Sequence, residues 1–261
     1  NEFENFIKGI IVDLIPLIYL ENYNFFKRIV FDLPFPKNPK LILSSHILNN
    51  SQSALYTAEK LENGCRLIYG QHGGVYGQYK FTWREEHELK ICDKYLTWGW
   101  MNKNDKKIYP LGTIKNIDNL KFNSKNFTDS KNLLLVCRAR SRYEHKLNSS
   151  TGSAQVEQYI QDTLNFGSFL DESIRKNLTV RLHTRKYGWH EDERWKKLFK
   201  GKVKVDWGDK SIVSMINNSR LVVCSYVGTT YLETLPKNIP TIIFENFNNT
   251  LFREDAKEHL N

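Results

Sequence analysis

Two hydrophobic patterns alternate along this chain. Short, largely apolar runs of three to six residues predict strands, and longer stretches with apolar positions every three or four residues predict helices. The runs at 28–31, 40–44, 67–69 and 94–98 are strand candidates in the first part, and those at 132–137, 178–183, 202–205, 221–225 and 241–244 in the second. Helical spacing covers 3–19, as an amphipathic or buried helix, and 51–63, which ends at Gly64. It returns at 154–163, 166–176, 191–198, 211–217 and 229–235. Pro34, Pro36 and Pro39 punctuate a turn, and Pro110-Leu111-Gly112 another. Strands that alternate with helices imply parallel sheets with crossover connections. Residues 115–131 are polar, without an apolar period, and are the best linker candidate. The expectation is an α/β chain of two Rossmann-like domains, 1–115 and 132–261, joined by a linker at 116–131 and facing a cleft. The chain begins at Asn1 without an initiator methionine, which reads as a piece of a longer protein with an incomplete first domain.

Composition narrows the function. With 261 residues, 40% hydrophobic and 13% aromatic, the chain is globular rather than mainly disordered. Lys and Arg outnumber Asp and Glu by 38 to 29, a net charge of +9 that favours anionic partners: nucleotide or sugar phosphates, nucleic acid, or an anionic membrane surface. The cysteines (Cys65, Cys92, Cys137, Cys224) lack the paired spacing of zinc sites and read as reduced, buried thiols of a cytoplasmic protein. The most hydrophobic segment, 9–20, is too short for a bilayer and is interrupted by Asp13 and Pro16.

The polar residues with chemical potential follow predicted strands. Gly70-Gln71-His72-Gly73-Gly74-Val75-Tyr76-Gly77 turns a strand into a glycine-rich loop with one imidazole, the side chain most readily tuned to exchange protons near neutral pH. A tight turn with an incidental histidine is the alternative. Arg138, Arg140 and Arg142 follow the run at 133–137, His183 and Arg185 follow that at 178–182, and Ser225-Tyr226-Val227-Gly228-Thr229-Thr230 follows that at 221–224. Hydroxyls and a glycine that open a helix after a strand suit phosphate. Capping by Thr229 or Thr230, with Glu233 as the capping-box carboxylate, explains the same residues. The arginine cluster has no nucleic-acid-binding motif around it, so no nucleic acid is expected. His190-Glu191-Asp192-Glu193-Arg194 lacks the second histidine of a zinc-protease helix, and the glycine loop lacks the Lys-Ser/Thr of a P-loop. Neither a metal nor a cofactor is indicated.

Taken together, Gln71-His72-Gly73-Gly74, Arg181-Leu182-His183, residues 209–212, Ser225 to Leu235 and Ile239-Pro240-Thr241-Ile242 resemble a family of bacterial surface-carbohydrate transferases. Its wider relatives are the capsule Kdo transferases, polysialyltransferases and CDP-glycerol glycerophosphotransferases. The resemblance runs from about Cys65 to the C-terminus. It implies a GT-B architecture, with the donor held mainly by the second domain and the acceptor by the first. His183 would match the donor-phosphate histidine, with Thr184 where a proline is common. Ser225, Thr229 and Thr230 would match the Ser/Thr donor segment, with Arg138, Arg140, Arg185, Gly228 and Glu233 around it. His72 would match a glycine-loop histidine of the glycerophosphotransferases, in different surroundings, with Gln71, Gly73, Gly74 and Tyr76 on the acceptor or loop side.

The expected reaction is an inverting, metal-independent transfer from a nucleotide-activated sugar, CMP-linked among the options, to a glycan or lipid-linked acceptor. His72, or Glu85 or Glu86 in its place, would act as base; Tyr76, Trp83 and Trp98 would stack on sugar rings. A polyol-phosphate transferase and a non-catalytic nucleotide- or glycan-binding module are the other readings. Basic residues would hold the protein peripherally on the inner face of the membrane.

Overall fold

The computed structural model describes residues 1–113, 130–144, 148–246, 248 and 250–260; of the expected linker at 116–131 only Ser130 and Lys131 fall within them. The chain forms two compact units, Asn1–His72 with Ile91–Leu96, and Gly73–Lys90 with Thr97–Asn261.

In the first unit, Asn1 caps α1 (Glu2–Leu14) by accepting the Glu4 N–H. The helix stops before Pro16, a 3-10 turn follows at Leu17–Tyr19, and no residue of α1 is buried. Residues 28–31, expected as a strand, lie instead in α2 (Tyr23–Asp32). The apolar run is one turn of a longer helical face: Tyr23, Phe26 and Val30 pack with Leu55 and Tyr56, and that spacing overrides local β-propensity. Then come β1 (Leu41–Ser44), α3 (Ser51–Glu62), β2 (Arg66–Gly70) and β3 (Lys94–Thr97). Asn50 caps α3 by accepting the Gln52 and Ser53 N–H groups. β1 pairs with β2 and β2 with β3, all parallel.

The second unit contains α4 (Trp83–Ile91) and β4 (Ile108–Pro110), then β5 (Leu133–Val136), α5 (Val156–Phe169), α6 (Glu172–Arg175) and β6 (Leu178–Arg181). It continues with α7 (Glu191–Leu198), β7 (Lys204–Asp206), α8 (Ile212–Asn217), β8 (Leu221–Cys224), α9 (Thr229–Thr234), β9 (Thr241–Ile243) and α10 (Glu254–Leu260). Its parallel sheet has the order β7-β6-β5-β8-β9. Alternate residues of β5 feed two cores. Leu133, Leu135 and Cys137 join Ile160, Leu164, Trp195 and Phe199, while Leu134 and Val136 join Ile216, Val222 and Tyr231. A strand covered on both faces reads as a continuous apolar run.

The helices expected at 154–163 and 166–176 are not divided in that way, because α5 runs unbroken through Gly167. That glycine lets two helices approach: a Cβ there would lie 2.7 Å from Trp195 Cζ3. The protein is thus mixed α/β with two sheets of parallel strands, as expected of Rossmann-like units. The four cysteines are buried thiols, none of them in a disulfide, and no helix among the described residues is long and apolar enough to cross a membrane.

Candidate active site at the strand ends

Counted along the chain, the strands of the second sheet stand in the order 3-2-1-4-5, which reverses between β5 and β8. In open α/β sheets, ligands bind beyond the carboxyl ends of the strands at such a reversal. His183 follows β6, Arg138 follows β5, Ser225 to Thr230 follow β8 and Glu245 follows β9, so the sheet delivers them in sequence along one edge.

At the reversal the side chains form a buried network. The Arg138 guanidinium is ion-paired with Glu245 at 3.2 Å, donates to the Tyr79 hydroxyl at 3.0 Å and lies 5.0 Å above the Tyr226 ring. Glu245 also accepts the Val227 N–H at 2.6 Å and the Thr250 hydroxyl at 2.7 Å, and the Tyr79 hydroxyl donates to the Val227 carbonyl at 3.0 Å. Both polar groups of Val227 are therefore held, and with them the turn that leads into α9. Ser225 is buried, its hydroxyl bonded to the Val136 carbonyl at 3.0 Å and to Tyr159 at 2.7 Å. Arg138 and Ser225 shape this edge rather than present free polar groups. Burial pushes the Tyr79 and Tyr226 hydroxyls up to about 12, so both stay protonated.

Gly228 is the N-cap of α9, without a side-chain cap bond, so the capping expected of Thr229 or Thr230 with Glu233 is not how this helix begins. Thr229 Oγ1 instead accepts the Gly74 N–H at 3.2 Å. A Cβ on Gly74 would lie 2.2 Å from the Gly228 carbonyl oxygen, so only glycine permits this approach. A hydroxyl that accepts one bond keeps its own proton to donate. Thr229 and Thr230 are half-buried, as is Glu233 one turn further along α9. Gln78 ties the loop again, donating to the Gly74 carbonyl and accepting from the Tyr231 hydroxyl.

Glu85, 1% exposed, accepts the Gly77 N–H at 2.8 Å and pairs with Arg253. Burial raises its pKa against the opposing pull of Arg253 and the Gly77 amide. It lines a cavity of about 490 Å³ with Trp100, Asn102, Lys103, Asp105 and Arg253. Glu86 is exposed, Gly73 is half-buried, and Tyr76 is buried with its hydroxyl donating to Glu88 at 3.2 Å. Trp83 and Trp98 are half-buried.

His183 and Arg185 are exposed. His183 Nδ1 accepts the Arg185 N–H at 3.0 Å, so the neutral ring carries its proton on Nε2. Partial desolvation, then the charges of Arg185 and Arg181, lower the pKa of this imidazole and favour the neutral form. Arg140 donates to Ser150 and lies 3.8 Å from Glu144, and its Nε has no partner among the described residues. Arg142 donates to the Gly188 carbonyl at 2.7 Å, over the Trp189 ring.

In the first unit, Gln71 is buried and its N–H continues the ladder to the Leu96 carbonyl at 2.9 Å. His72 follows, half-buried, with its ring centroid 4.9 Å from that of His46. His46, Tyr79 and Glu245 are the residues that sequence reading missed. Glu245 and His46 come just after the runs at 241–244 and 40–44, as the recognised residues do after theirs, whereas Tyr79 follows no such run. Among the described residues, no group of three or more His, Cys, Asp or Glu is placed to hold a metal ion.

These features define a class: an α/β protein whose polar side chains collect at the carboxyl edge of a doubly wound parallel sheet. The family model of the LIC12162 family transferase matches residues 1–261, the whole chain. The protein therefore belongs to this family and is a transferase. No curated protein matches it at a significant level.

Proposed function

We propose that this transferase moves a sugar from a nucleotide-activated donor to a surface-polysaccharide or glycolipid acceptor, as a GT-B-type glycosyltransferase. The observation that carries the reading is His183: with Nδ1 occupied by the Arg185 amide, the neutral ring has an Nε2–H to offer a phosphate oxygen, beside an exposed guanidinium. Thr229, with a hydroxyl proton to donate, belongs to the same sheet edge.

In the proposed reaction His72 removes the proton of the acceptor hydroxyl. The oxygen attacks the anomeric carbon, the bond from that carbon to the phosphate oxygen breaks, and its electron pair leaves with the nucleotide. His183, Arg185 and Thr229 meet the growing negative charge, and in-line attack inverts the anomeric centre. Glu85, held between Gly77 and Arg253, fixes the loop instead of exchanging protons.

The test is a thermal-shift panel of CMP, CDP, UDP and GDP on wild type and His183→Ala. One nucleotide is expected to stabilise wild type, by about 2.7 kcal/mol at a hundredfold excess over Kd, and the variant clearly less. No shift with any nucleotide, or equal shifts in both proteins, would overturn the donor-site assignment.

A further inference from the structure

β1 and β2 are parallel neighbours, with Ser44 opposite Tyr69. Two residues beyond the end of each strand stands a histidine: His46 after Ser44, and His72 after Gly70. The register therefore delivers two imidazoles to one point on the sheet edge, 4.9 Å apart between centroids and tilted by 48°. The turns that carry them are close, since a Cβ on Gly70 would lie 3.8 Å from Ser45 Cβ.

His46 is exposed, so burial of apolar surface does not explain where its ring stands. The ring is nevertheless held: Nδ1 is 2.7 Å from the Ser45 hydroxyl, and the His46 N–H donates to Ser44 Oγ at 3.2 Å. On the other side, the Gln71 N–H bond to Leu96 fixes the backbone that presents His72.

We infer that His46 is the positioning partner of His72, one imidazole holding the other in the orientation from which it takes the acceptor proton. This rests on the reading of His72 as the base. An imidazole that gains a proton becomes a cation, and a neighbouring aromatic ring both restricts its rotation and stabilises that charge. General-base catalysis demands such placement, because a misplacement of about 1 Å costs on the order of a hundredfold in rate.

The first measurement is the NMR spectrum of the histidine ring protons, which needs no substrate. The His72 ring resonances should move in His46→Ala and stay nearer their wild-type positions in His46→Phe, which keeps an aromatic ring at the site. The second follows nucleotide release from a mixture of CMP-, UDP- and GDP-sugars and CDP-glycerol. His46→Ala should lower kcat about tenfold with KM unchanged, less than the roughly 10²- to 10⁴-fold that a general base itself contributes, and His46→Phe should recover most of the loss. The double variant with His72→Ala should be no slower than His72→Ala alone, since His46 acts only through His72. Unmoved His72 resonances, or losses that multiply in the double variant, would overturn the pairing. If His72→Ala kept full turnover, the base assignment would fall and the role of His46 with it, while the ring shift would still report whether the two imidazoles touch.

Discussion

Glu191 is a carboxylate in a place that disfavours its charge. It opens α7 at 7% exposure, and burial, followed by the nearby Asp192, raises its pKa to about 7. A folded-state pKa above the unfolded value means that the native state binds the extra proton, so the stabilisation is complete below about pH 4.5 and is lost as the pH rises towards 7. Glu191→Gln removes the titration. Its stability should match that of wild type at pH 5 and exceed it by about 1–2 kcal/mol at pH 8, less than the full shift implies at about 1.4 kcal/mol per unit. Urea unfolding at the two pH values checks this, and a difference independent of pH would rule it out. At this scale the sequence shows which polar residues come just after an apolar run, His72, His183 and Ser225 among them. His46 follows such a run just as closely, but its meaning depends on the register of β1 against β2, a non-local quantity that no local pattern carries.

Helices were harder to read where a buried face is not apolar. α4 buries Glu85 and Glu88, so its inward positions look like solvent positions in the sequence and the helix left no hydrophobic period to detect. α2 shows the opposite error: its short run at 28–31, with three apolar residues after Arg28, resembled a strand until Tyr23 and Phe26 extended the face. The expected interruption at residues 164–165 does not occur, and Gly167, although glycine is a poor helix former, sits where α5 meets α7. In an isolated helix Gly→Ala would gain about 1 kcal/mol. Here the new methyl would lie 2.7 Å from Trp195 Cζ3 and 2.9 Å from Phe199 Cζ, both in buried side chains with little room to yield. Overpacking costs about 1–3 kcal/mol, so Gly167→Ala should destabilise the protein by about 1 kcal/mol net. A midpoint in urea higher than that of wild type would show that the helices can separate without cost.

For the molecule as a whole, alternation of the two hydrophobic periods was enough to indicate α/β architecture and parallel sheets. The strand order, which places the reversal between β5 and β8, was not legible, because it depends on where each crossover returns. The charge of +9 acts at this scale too. We propose peripheral attachment to an anionic inner-leaflet surface. Binding to phosphatidylserine-containing vesicles should then be measurable by sedimentation at 50 mM salt and largely lost at 500 mM, as the screening length falls below about 10 Å. Salt-insensitive or absent binding would remove the membrane from the picture. The buried thiols have a practical consequence. Cys137 and Cys224, their pKa values pushed up to about 12 by burial, carry almost no thiolate at neutral pH, and Cys65 and Cys92 are buried as well. A cysteine introduced at an exposed position, such as Glu193 on α7, would therefore be the fastest target for a maleimide dye, so the wild-type background could serve directly for site-specific fluorescence without first removing the native cysteines.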